Sequence, residues 1–192
     1  MAAQKIMLIR HGEKEDASPP FCVNGEGIHD KHSLSVRGWQ RAGALVPFFG
    51  QPWATGIARP TILYGSRAAC EGLHVEDEDG TKSLRPQQTL TPLSGALGIN
   101  INTDWSVGEE PQLVDAVKAE TGIVLVAWEH KHIPLIARAL SSDAPERWPH
   151  GDRFDLVWVL DTIVGSGLYS FREIPQALLA GDVIPSGTPQ GA

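Results

Sequence analysis

Two histidines and two arginines stand where a mixed α/β chain builds its sites. Arg10, His11 and Glu13 follow directly on the apolar run IMLI; Glu129, His130 and His132 follow GIVLVAW; Arg85 heads the segment RPQQTLTPL. Planar guanidiniums match the oxygens of a phosphoryl group with paired hydrogen bonds, and a neutral imidazole can attack phosphorus in line and later be released by water. The chemistry expected of the set is therefore phosphoryl transfer through a phosphohistidine. The charge on the equatorial oxygens would be carried by Arg10, Arg85 and a protonated second histidine, with no metal and no other cofactor required. Gly12 is expected to let the backbone come close to the imidazole and its substrate.

Other chemistries find less support. The chain has no GxxxxGK[ST], no complete GxGxxG and no GxSxG, so neither a nucleotide loop nor a serine nucleophile is indicated. His29 and His32 form an HxxH, and His130 and His132 an HKH, which keeps a metal-dependent phosphoesterase as an alternative class; neither pair belongs to an HExxH or a CxxC. Cys22 and Cys70 are the only cysteines and have no metal or redox spacing.

If these groups are to meet, particular elements must carry them. KIMLIR (5–10) reads as a buried strand that opens into a Pro- and Gly-rich loop, SPPFCVNGEGIHDKHS (18–33). Residues 34–49 have helical spacing behind Ser35 as N-cap, with Gly50 as a stop. TILYG (61–65) is a second strand. The stretch 66–83, with its acidic run at Glu76, Asp77, Glu78 and Asp79, reads as an exposed insertion that would turn away polyanionic ligands if it lay over the site. Helical spacing resumes over 84–98, where Pro86 suits a first turn. A short extended piece at 99–102, a helix over 109–121, the strand 122–128 and a helix over 132–140 follow, and 154–161 and 167–174 form a hairpin-like strand pair. Alternating strands and helices predict an α/β sheet covered on both faces, with chemistry at the carboxyl ends of its parallel strands. His11 and His130 then converge if their strands are neighbours.

Composition sets the bounds. With 192 residues, 42% hydrophobic and 20% charged, the chain fits one domain spanning 1–192, with 181–192 as a tail. A net charge of −7 provides no broad basic field, so neither nucleic acid nor an anionic membrane is an expected partner, and any phosphate must be held by local cations. No apolar run is long enough for a signal core or a membrane span, which makes a cytoplasmic protein the expectation.

The motifs together resemble the histidine phosphatase superfamily, also called phosphoglycerate mutase-like. LIRHGE resembles its RHG signature after the first strand, LSVRGWQRA its Leu-Thr-x-x-Gly-x-x-Gln-Ala helix, RPQQT its Arg-Ala-x-Gln-Thr segment, and VLVAWEH its strand ending at the second histidine. All four stand in the family's order. The resemblance implies a three-layer α/β/α fold with a mostly parallel central sheet, His11 as nucleophile, and a phosphate pocket of Arg10, Arg85 and His130. It implies an enzyme, a phosphoric monoester hydrolase, acting on a small phosphorylated substrate or a phosphoprotein. Two departures bear on this. Ser66 and Arg85 are separated by the insertion, which leaves Arg67 as a rival for the second pocket arginine. Lys14, Glu15, Asp16 and Ala17 follow RHGE where mutases continue differently, so a phosphatase is expected before a mutase-type phosphotransferase, and the intact Arg10, His11, Arg85 and His130 set it before a non-catalytic phosphate-binding domain. The general acid is expected at Glu109 or Glu110, by their place after Arg85, with Asp104 and Glu13 as rivals.

Overall fold

The computed structural model describes residues 3–14, 21–68 and 82–183. In chain order its elements are β1 (Lys5–Arg10), α1 (Val36–Gly50), β2 (Ile62–Gly65), α2 (Arg85–Leu97), β3 (Ile101–Asn102), α3 (Glu110–Ala119), β4 (Ile123–Trp128), α4 (Ile133–Leu140), β5 (Leu156–Thr162) and β6 (Tyr169–Pro175). The strands form one six-stranded sheet in the order β3-β2-β4-β1-β5-β6. β1, β2, β3 and β4 are mutually parallel, whereas β5 runs against both its neighbours, β1 and β6. The sheet is thus mostly parallel, as the alternation of elements predicts, and the terminal pair is a true hairpin.

Strand alternation sorts the core into two halves. Ile6, Leu8, Val124 and Val126 point to the face covered by α3 and α4, where they pack with Leu113, Val117, Ile133 and Ile136. Met7, Ile9, Leu125 and Ala127 point to the other face and pack with Leu45, Phe48 and Leu90 of α1 and α2. Because both faces of β1 and β4 are buried, these strands read as continuous apolar runs. The result is a three-layer α/β/α arrangement.

Local signals set the helix ends. The Ser35 hydroxyl accepts from the Gly38 N–H at 3.1 Å and caps α1. Pro86 occupies the first turn of α2, and Gly98, at φ 67°, ends it in the left-handed conformation that glycine tolerates. The expected insertion over 66–83 falls largely on residues 69–81, which lie outside the described residues, as do Cys70 and the acidic run. At its ends Ser66 and Ser83 are buried, whereas Arg67 is exposed. The expected tail begins with a tethered piece, since Asp182 accepts hydrogen bonds from Arg41 and from the Leu178 and Leu179 amides. No helix among the described residues is long and apolar enough to cross a membrane.

Candidate active site

Three parallel strands deliver their ends to one place. β2 leads into Ser66, β4 into Glu129 and His130, and β1 ends at Arg10 and leads into His11, and these residues line a cavity of about 220 Å³. Arg85, the first residue of α2, closes another side. β1 and β4 are adjacent, with Arg10 opposite Trp128, which is why two segments so far apart in sequence meet here.

His11 is 4% exposed, and its backbone N–H donates to the Trp128 carbonyl at 3.2 Å. Ring atom Nδ1 lies 2.7 Å from the carbonyl oxygen of Gly12. A carbonyl oxygen only accepts, so Nδ1 carries the proton and Nε2 keeps its lone pair. Burial first, and then the charge of Arg10, push the His11 pKa down to about 3, leaving the ring neutral at physiological pH. A neutral imidazole with a set tautomer is the form a nitrogen nucleophile needs.

The RPQQT segment holds that arrangement. The Gly12 N–H donates to Thr89 Oγ1 at 2.8 Å, and the same hydroxyl donates to the Arg85 carbonyl at 2.7 Å. Gln88 Nε2 donates to Ser33 Oγ at 2.7 Å, and its Oε1 accepts from the Leu34 N–H at 2.9 Å. Arg85 itself donates from Nε to the Ser33 carbonyl at 2.9 Å and from Nη2 to the Lys31 carbonyl. The motif thus places one cation at the cavity and pins both the loop before α1 and the residue after His11. Besides bringing its carbonyl to the His11 ring, Gly12 serves a contact that the sequence did not suggest. A Cβ there would come within 2.9 Å of the Gly38 carbonyl oxygen, so its small size admits the first turn of α1.

Arg10 is 1% exposed, with Cζ 3.7 Å from the centroid of the Phe154 ring and Nη1 donating to the carbonyls of Gly151 and Arg153. Its Nε has no hydrogen-bond partner among the described residues. Burial pushes its pKa down to about 10, so it stays cationic at neutral pH. A cavity-lining guanidinium with an unmet donor suits an anion. Of the two arginines left open by the sequence, Arg85 lines the cavity. Arg67 is half exposed and pairs with Glu109 at 3.2 Å instead.

The second histidine sits beside a carboxylate: His130 Nδ1 lies 2.6 Å from Glu129 Oε1, and Glu129 Oε2 accepts from the Lys131 N–H at 2.7 Å. Burial alone would raise the Glu129 pKa, but the hydrogen bond and charge of His130 outweigh it and hold the carboxyl below its usual range. Lys14, Lys31 and Lys131 also line the cavity. The Lys14 pKa is lowered by burial and by the charges of Arg10 and Arg85, a sign of how electropositive the space is in a chain of net charge −7.

The four candidate acids do not line the cavity. Asp104 is exposed. Glu109 is the residue before α3 and faces Arg67. Glu13 is 8% exposed and is taken up by Arg41, whose Nη2 donates to it at 2.8 Å, and by Arg37 at 3.1 Å. Glu110 is 5% exposed and accepts from Trp128 Nε1 at 2.9 Å and the Gly108 N–H at 3.0 Å, with His132 Nδ1 at 2.9 Å. Burial opposes its ionisation, yet the hydrogen bonds from His132, Trp128 and Gly108 hold its pKa at about 2. A carboxylate so held is a poor proton donor at neutral pH.

Sequence reasoning missed Phe154, which braces Arg10, and the place of His132, which lines the cavity. Phe154 carries no motif. The two loop histidines 29 and 32 divide: His29 packs edge-on against Phe21 at 5.5 Å, and His32 lines the cavity.

No protein-family model matches the sequence. No curated protein matches it either. Among solved structures the chain is similar to a crystal structure of phosphoglycerate mutase from Plasmodium falciparum, with a TM-score of 0.51 over 96% of this chain and 95% of that one, at 13% sequence identity. That likeness, with the six-stranded sheet and its four helices, makes this a phosphoglycerate mutase-like fold.

Proposed function

We propose that the protein is a metal-independent phosphatase that hydrolyses a phosphate monoester through a phosphohistidine at His11. One observation carries the reading: a neutral, buried imidazole with Nδ1 committed to the Gly12 carbonyl shares its cavity with Arg10 and Arg85. In the proposed reaction the Nε2 lone pair of His11 attacks phosphorus as the P–O ester bond breaks, its electron pair going to the ester oxygen, which takes up a proton and leaves as the alcohol. Arg10, Arg85 and His130 hold the phosphoryl oxygens and stabilise the charge that spreads over them. Water then opens the N–P bond, and phosphate leaves.

A cavity of about 220 Å³ suits a small phosphorylated molecule, and the three lysines around it favour one that carries further negative charge. The proposal sets the enzyme in the cytoplasm and gives it neither a nucleic-acid nor a membrane partner, in keeping with its net charge of −7. A mutase of the same fold would return the phosphoryl group to a second acceptor rather than to water. The two readings part on whether phosphate is released in the absence of any acceptor.

The test is a panel of phosphate monoesters given to the purified protein with and without EDTA, with His11→Ala as control. Phosphate release that survives EDTA and is lost in the variant is expected. Activity that vanishes with the chelator and returns with a divalent metal would instead favour the metal-dependent class.

A further inference from the structure

We infer that Phe154 is the positioning residue of Arg10, its ring and the neighbouring loop carbonyls holding the guanidinium so that one edge stays open to a phosphoryl group; this rests on the phosphatase reading above. Strand direction brings the two residues together. β5 runs against β1, with Ile9 opposite Val157, so the segment that enters β5 lies beside the end of β1. Phe154, two residues before β5, thereby meets Arg10, the last residue of β1. Asp155 fixes that entry. It is 3% exposed, pairs with Arg153 at 2.6 Å and accepts from the Val183 N–H at 2.8 Å, while its carbonyl accepts from the Gln176 N–H at 2.7 Å.

A guanidinium donates in its own plane, and its two flat faces make no hydrogen bonds. The Phe154 ring lies against one face of Arg10, 3.7 Å from Cζ to the ring centroid, where the negative face of the ring attracts the cation. In the plane, Nη1 donates to the carbonyls of Gly151 and Arg153, and the Arg153 carbonyl is itself held by Trp148 Nε1 at 2.9 Å. Nε, which shares the opposite edge with Nη2, has no partner among the described residues.

The carboxylates of Glu129, Glu13 and Asp152 act on Arg10 through charge alone. Neutral groups therefore orient the guanidinium, and they do so without neutralising it. A direct ion pair would fix the side chain but spend its charge. Arg10 lines the cavity and Phe154 does not, so the ring reaches a ligand through its neighbours. Its centroid is also 6.1 Å from that of the His11 ring, which leaves a second route, through the nucleophile, for the experiment to exclude.

The experiment is a double-mutant cycle of Phe154→Leu and Arg10→Met, at a temperature where a melt shows all four proteins folded. Its readouts are the Kd for inorganic phosphate by calorimetry and kcat/KM for p-nitrophenyl phosphate. Leucine keeps an apolar contact but has no ring face. A desolvated cation–π contact corresponds to about 5- to 30-fold in an equilibrium constant, so Phe154→Leu should weaken phosphate binding by that factor and lower kcat/KM at least as much. Phe154→Tyr, which keeps the ring, should stay within about twofold of the unaltered protein. In the Arg10→Met background Phe154→Leu should change the Kd by less than about twofold, whereas a merely structural role would cost the same in both backgrounds. Unchanged phosphate affinity in Phe154→Leu, or the same loss with and without Arg10, overturns the assignment. If the unaltered protein binds phosphate yet releases none from any ester, the phosphatase reading falls and the four Kd values alone decide the assignment. Failure to bind phosphate at all overturns both.

Discussion

The segment that carries His11 rests on a buried ion-pair network, and Glu13→Gln tests whether Glu13 supports that segment or acts in the cavity. Glu13 accepts from Arg41 Nε at 3.0 and 3.1 Å to its two oxygens, from Arg41 Nη2 at 2.8 Å and from Arg37 Nε at 3.1 Å, while its backbone carbonyl accepts from Ser35. Glutamine keeps the volume and one acceptor oxygen but loses the charge. Arg41 would still face Asp182 at 2.7 Å and Gln176 at 2.8 Å, so it is not left alone. The cost is therefore nearer the ~1.5–3 kcal/mol of a hydrogen bond to a charged group than the ~3–5 kcal/mol of an orphaned buried ion. For a chain of this size about 2–4 °C of Tm accompanies each kcal/mol, giving a drop of about 3–12 °C. Arg41→Met, which leaves the Glu13 and Asp182 carboxylates buried with one cation fewer, should cost more. The assay is a thermal melt beside kcat/KM measured where both proteins are folded. An unchanged Tm with a loss of orders of magnitude in turnover would refute the reasoning and return Glu13 to the cavity.

Three further outcomes follow from the site. Thr89→Val strips the acceptor from the buried Gly12 N–H and should cost about 1–3 kcal/mol in a melt while lowering kcat, because the Gly12 carbonyl sets the His11 tautomer; wild-type kcat in a destabilised protein would separate the two roles. Arg85→Ala should lower turnover by about 10²- to 10³-fold, as loss of one charge-stabilising donor does, and Arg67→Ala far less; the reverse ranking would move the pocket arginine to position 67. His11 has a pKa lowered to about 3, so its nucleophilic form is present above that pH and is lost only as pH falls through it. A kcat/KM profile should therefore show no limb from His11 near neutrality, and a histidine titration near its ordinary pKa of about 6.5 at His11 by NMR would contradict this.

Much of this architecture is written in local pattern. IMLI and IVLVA are continuous apolar runs because both faces of β1 and β4 are covered, and the groups that follow them sit at strand ends by simple adjacency. The cavity placement of Arg10, His11 and His130 could be read for the same reason, whereas that of Arg85, at a helix start, could be read only from the resemblance of RPQQT. Partnerships across the chain could not. Arg41 and Asp182 are 141 positions apart, and nothing near Gly181 marks a tether rather than a loose end. Gly12 reads as a site glycine, but only the fold sets the Gly38 carbonyl against it. Glu110 holds the position of a donor in sequence, but its burial and its bond from Trp128 belong to tertiary packing. His132 reads as a loop histidine because only the fold brings α3 and α4 together at their starts. The strand order, with β1 between β4 and an antiparallel β5, likewise has no local signature.

The claim on which all else depends is the covalent intermediate at His11. Labelled phosphate ester mixed with the protein and quenched in alkaline detergent should leave label on the chain that survives base, is lost in acid, and maps to His11. Loss of that label in His11→Ala, with its retention in Arg67→Ala, is the predicted result. Turnover of the same ester with no protein-bound label at any mixing time, or with label that maps to another residue, would contradict it.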